Sequence, residues 1–181
     1  PFLARVALRM GERQRLVVIG AGALKLAQSL VGLAPRPVEL GRAVGEFTRR
    51  AADLGPAEAA AWIGAQAPLD ELAAANLAAY IREQREATGQ VPSDRVVVVE
   101  RFCDEVGDWR VAILTPFGAR VHAPWALALD GALAERTGVE LHTLFTDDGI
   151  LLRFASFSDD PDEAPSLDLD LLIPDPSEIE P

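Results

Sequence analysis

Apolar positions recur with two different periods along this chain, and the change of period divides it. From Val38 to Leu54, Leu40, Val44 and Phe47 stand at i, i+4 and i+7, with Ala51 extending the stripe. That spacing predicts an amphipathic helix with this face turned inward. Gly55-Pro56 breaks the pattern, and Pro56 suits the first turn of a second helix running to about Gln66, with Trp62 and Ile63 as its bulky apolar residues. A third helix is predicted from about Asp70 to Thr88, with Leu72, Ala75 or Asn76, Ala79 and Tyr80 along one side and Gly89 as its cap. The many alanines allow close approach, so three packed helices are expected.

The period then shortens. Val96–Cys103 is rich in β-branched residues, and a turn at Glu105-Val106-Gly107-Asp108 leads into Trp109–Thr115. Pro124 to Thr137 reads as a helix ending at Gly138. A second hairpin follows, from Glu140–Phe145 through Asp147-Asp148-Gly149 to Ile150–Phe154. The predicted fold class is α+β: an N-terminal helical bundle, then a ββ-α-ββ unit with an antiparallel sheet carrying the helix on one face, then an acidic C-terminal tail. Residues 38–89 form the helical part and 90–155 the antiparallel part. Residues 1–37 form a leader, and 156–181 an acidic linker and end, in which Leu167–Ile173 is a candidate edge strand.

Charge sharpens this division. The net charge of −11 sits in one place: residues 1–139 hold 16 basic and 16 acidic side chains, whereas 140–181 hold one Arg and 12 acids. A neutral body with an acidic tail still admits nucleic acid through a local patch, although the overall sign opposes it. No apolar run reaches the ~18 residues a membrane span needs, and a single cysteine, Cys103, excludes an internal disulfide. Cys103 reads as a small buried hydrophobe. These features point to a cytoplasmic protein without a membrane. The first residue is not Met and the last residues resemble a helix start, so the chain reads as a fragment.

Enzymatic chemistry finds little to work with. Leu16–Ala23 reads as a strand and Gly turn, but the third position of a dinucleotide fingerprint is Lys25. No Gly-Lys pair occurs, so no phosphate-binding P-loop is present. His122 and His142 belong to no metal motif, and Asp147-Asp148-Gly149 reads as a hairpin turn and not a cation loop. No catalytic residue, metal ligand or cofactor site is expected within these residues.

One constellation remains, in Phe117-Gly118-Ala119-Arg120-Val121-His122-Ala123-Pro124-Trp125. Arg120 offers a planar fork to phosphate and Trp125 a stacking face for any base, with His122 between them. A loop entering a helix also presents backbone N–H groups to anions, and Pro124 would stiffen that entrance. Arg101 and Arg110, on the first hairpin, are further candidate contacts. The plainer alternative makes Trp125 a helix-to-sheet anchor and pairs Arg120 with an acid; Trp109 likewise reads as core.

The same strings carry a resemblance. Glu100-Arg101-Phe102, Asp104-Glu105 and Gly107-Asp108-Trp109-Arg110-Val111, followed by Pro116-Phe117-Gly118 and Arg120 through Ala126, closely resemble the DEAD/H-associated region of Lhr-type (large helicase-related) ATP-dependent helicases. Arg36-Pro37 with Glu39-Leu40-Gly41 is similar to another stretch of that family. So are Asn76-Leu77, Tyr80, Glu83-Gln84 and Ala87-Thr88-Gly89, and then Asp147-Asp148-Gly149-Ile150. The likeness spans roughly residues 36–181. It implies an accessory region that follows two RecA-like motor domains and a winged helix in the same polypeptide. ATP and Mg²⁺ would belong to that motor, which moves 3′ to 5′ on single-stranded DNA or a DNA/RNA hybrid. The accessory region would help form the strand channel and brace the motor. The rival expectation is a stand-alone scaffold or protein-docking module that binds no nucleic acid.

Overall fold

In the computed structural model, the residues described are 5–7, 35–104, 107–137, 141–154 and 172–173. Three helices, α1 (Val38–Asp53), α2 (Pro56–Gln66) and α3 (Glu71–Thr88), precede the sheet. Asp70 caps α3 by accepting from the Ala73 N–H at 2.7 Å, and Gly89 ends it in the left-handed conformation at φ 78°. Pro56 takes the first turn of α2, where its missing N–H costs nothing.

The faces these helices bury match the predicted ones only in part: Phe47 and Ala51 of the α1 stripe pack in the helical core, and the rest differs. Leu40 and Val44 of α1 are 53% and 38% exposed, and the buried residues are Gly41, Gly45 and Ala51. On α3, Leu72 and Tyr80 lie outside while Ala74, Ala78, Ile81 and Gln84 lie inside. The reason is distance: small side chains let backbones approach, so the close-packed face is the one poor in bulk. Phe47 and Trp62 close the helical core with ring centroids 5.0 Å apart.

The sheet runs β1 (Arg5–Ala7), β2 (Val96–Cys103), β3 (Trp109–Leu114), β5 (Gly149–Phe154), β4 (Leu141–Thr146) in spatial order. Four strands are antiparallel, as their turn chemistry predicts. The three-residue β1 lies parallel to Val96–Val98, an addition the leader's sequence did not announce. The strand-like Leu16–Ala23 lies outside the described residues. α4 (Ala119–Thr137) covers one face of the sheet, with Ala126, Leu129 and Leu133 against Val111, Ile113 and Leu152. Most of Leu167–Ile173 also lies outside the described residues. Leu172 itself is 1% exposed and belongs to the core beside α4.

α4 begins five residues before the predicted start, so Pro124 stands inside it. Gly118, at φ 92°, turns the chain sharply enough to start the helix at Ala119. Pro124 then removes the donor that the Arg120 carbonyl would ordinarily meet one turn later.

Bundle and sheet meet through backbone. A β-carbon on Gly41 would collide with the Pro116 carbonyl, and one on Gly45 with the Asp94 amide. Beside them Arg49 pairs with Asp94 at 2.8 Å, and Gln84 donates to Glu100 at 3.1 Å. The hydrogen bond and charge of Arg49 hold the Asp94 carboxyl below the usual range. No helix among the described residues is long and apolar enough to cross a membrane.

Candidate nucleic-acid interface

Three loops converge at the entrance of α4. Asp147 Oδ1, in the turn between β4 and β5, accepts the N–H of Ala119 at 2.8 Å and that of Arg36 at 3.1 Å. The Arg36 guanidinium answers from the other side, donating to the Pro116 carbonyl (3.3 Å), the Asp147 carbonyl (3.1 Å) and Asp148 Oδ1 (2.9 Å). Partial burial works against the Asp147 charge. The two N–H donors and the Arg36 cation outweigh it and hold this carboxyl below its ordinary range.

This knot alters the expectation of an open anion site. The N–H of Ala119 is taken by Asp147, and those of Val121 and His122 turn back to the Gly118 carbonyl at 3.0 and 3.1 Å. The negative group at this helix N-terminus is the protein's own. The amides of Ala119, Val121 and His122 are thus occupied within the fold.

The predicted contact residues separate accordingly. His122 is fully buried: Nε2 lies 3.2 Å from Thr115 Oγ1 and Nδ1 2.6 Å from the Thr146 carbonyl. Its place is the interior, and it offers no surface to a ligand. Burial pushes its imidazole below the ordinary value, against the opposing pull of the Thr146 carbonyl and the two aspartates. Trp125 is half-buried against the sheet core, and its indole N–H donates to the Leu172 carbonyl at 2.8 Å. That is the anchor arrangement and not an open stacking face.

The two hairpin arginines are also engaged. Arg110 donates through Nε to Asp104 Oδ2 at 2.7 Å and pairs with it. Arg101 lies over the ring of Trp109, 5.6 Å from its centroid, and Trp109 is core. Arg120 differs from all of these. It is exposed on the second residue of α4, and among the described arginine side chains it alone has no hydrogen-bond, ion-pair or ring partner. Sequence reasoning placed Arg36 and Asp147 only within quoted motifs; their joint role had no local signal, since 111 positions separate them.

Comparison with known proteins agrees in direction. The protein-family profile described as DEAD/H associated matches residues 91–179. The Lhr helicase/probable uracil glycosylase of Mycolicibacterium smegmatis is 47% identical over 146 residues, covering 81% of this chain and 9% of that protein. The Lhr helicase/uracil glycosylase of Escherichia coli is 42% identical over 120 residues, covering 65% of this chain and 8% of that one. The structure of the Mycobacterium smegmatis helicase Lhr bound to ssDNA and AMP-PNP matches with a TM-score of 0.70 and 45% identity, over 81% of this chain and 18% of that chain. The chain therefore spans less than a tenth of the length of these curated relatives.

Proposed function

Since this chain belongs to the DEAD/H-associated region of Lhr-type helicases, we propose that it is an accessory region of an ATP-dependent helicase and meets single-stranded nucleic acid through Arg120. The observation that carries the reading is the isolation of that guanidinium. Every other described arginine side chain has a partner, and Arg120 projects unpaired from a tightly fastened helix entrance. An unpaired planar cation has no ion pair to break before it grips a phosphate, and the fastened backbone beneath it leaves only side-chain freedom to be lost. The relative solved with ssDNA and AMP-PNP supports the ligand class.

The Gly-Lys pair with which a P-loop cradles phosphates is absent from the sequence. Nucleotide chemistry belongs to motor domains of the same polypeptide. This region's part is to line the path of the strand and steady the motor.

The test is equilibrium binding of a labelled single-stranded oligonucleotide to the chain and to Arg120→Ala across a salt series. The variant is expected to bind more weakly to all sequences, with a salt slope reduced by about one. Equal affinity and equal slope in a folded variant would remove Arg120 from the interface.

A second reading, docking onto the motor or winged-helix domains of the same polypeptide, is favoured by a separate observation. α1 and α3 leave an apolar groove of about 550 Å³ lined by Leu40, Val44, Phe47, Leu77 and Tyr80. The two readings concern different surfaces and are compatible.

A further inference from the structure

We infer that Asp147 is a positioning residue for Arg120: it sets where that cation meets the strand without touching the strand itself. The inference rests on the reading of Arg120 as a contact and deepens it.

The geometry ties down the backbone on both sides of Arg120. Before it, the Ala119 N–H is held by Asp147 Oδ1 at 2.8 Å. After it, the N–H groups of Val121 and His122 return to the Gly118 carbonyl, and the His122 ring reaches the Thr146 carbonyl beside Asp147. The same carboxylate fixes Arg36, whose guanidinium clamps Pro116 and Asp148. One side chain in the β4–β5 turn thus fixes the first residue of α4, the turn that precedes it and the start of the helical bundle. Arg120 is the residue of that fastened turn that reaches solvent unpaired.

Charge gives the inference a decisive sign. A carboxylate bound to the backbone N–H of the residue before a phosphate-gripping arginine repels a polyanion, so charge alone says that removing it should tighten binding. A positioning role says the reverse: without the cap the turn loosens, and ordering it again on binding costs affinity.

The experiment is a double-mutant cycle on the 181-residue chain with a single-stranded oligonucleotide of about 20 thymidines, using Asp147→Ala, Arg120→Ala and the double variant. Alanine removes the acceptor as well as the charge, whereas asparagine would keep an oxygen for both N–H donors. Fold is checked by circular dichroism and thermal melting. Asp147→Ala is expected to weaken binding about two- to tenfold, and the double variant to bind no more weakly than Arg120→Ala alone. A folded Asp147→Ala that binds as tightly as the parent or more tightly overturns the inference, and so does a simple sum of the two losses. Loss of nothing in Arg120→Ala sinks the nucleic-acid reading of that residue, and the inference goes with it. Should Asp147→Ala not fold, Ala119→Pro takes its place. It removes the N–H that Asp147 accepts, leaves every charge in position and suits the first turn of a helix. It is read by the same outcomes.

Discussion

The protons around His122 can be assigned from its partners. The Thr146 carbonyl only accepts, so Nδ1 carries the hydrogen; in the neutral ring Nε2 is then an acceptor, and the Thr115 hydroxyl, which also accepts from the Phe117 N–H at 3.2 Å, donates to it. Burial favours this neutral ring, and a second proton would require the Thr115 hydroxyl to turn and accept. Because burial depresses the folded pKa, this contribution is complete above the unfolded value near 6.5 and is lost as pH falls through it towards the lower folded one. Melting temperature is expected to drop between about pH 7 and about pH 5, the range in which histidine titrates, with that component absent from His122→Gln. Identical pH profiles for the two proteins would contradict the assignment.

At the scale of elements, the joint between bundle and sheet depends on two residues with no side chain. Gly41 and Gly45 stand four apart on α1, and each presses directly on a loop backbone, which cannot swing aside as a flexible side chain can. Gly41→Ala is expected to destabilise the protein by about 1–3 kcal/mol or more, as overpacking does, even though alanine is the better helix former. Urea denaturation would show it, and a gain in stability would argue that the helix stands farther off. The same residues explain what was legible beforehand. Strands, turns and the limits of α1 to α3 were readable, because β-branched runs, Gly-Pro and Asp-Asp-Gly act locally. The inward face of α3 and the Gly41–Gly45 part of that of α1 were not, since a pattern reading gives weight to bulk and little to small residues, although Phe47 and Ala51 were placed correctly. The start of α4 was hidden for a related reason: Pro124 looks like a boundary until Gly118 and a distant aspartate supply a better one. In the candidate site, Arg120 was recognisable as a surface cation. The burial of His122 and the engagement of Trp125 depend on Thr146 and Leu172, residues 24 and 47 positions away.

Across the whole molecule, two hydrophobic clusters, one helical and one between α4 and the sheet, are joined by the Arg36–Asp147 knot and by the glycine contacts. The second cluster is completed by a late part of the chain, where Leu172 enters beneath Trp125. Trp125→Phe keeps the packing but leaves the Leu172 carbonyl without its donor, an expected cost of about 1–3 kcal/mol. Equilibrium unfolding measures it, and a change within error would mean that water replaces the indole there. The knot also orders events in time. Arg36 is made 111 residues before the aspartate it grips. At roughly 5–20 residues per second the ribosome leaves it waiting for about 5 to 20 seconds. During that interval α1 can already set Gly45 and Arg49 against Asp94 and Gly41 against Pro116. The carboxylate that ties Arg36 to the entrance of α4 arrives last, so a synthesis halted before residue 147 yields a helical bundle seated on its loops with that entrance left unfastened.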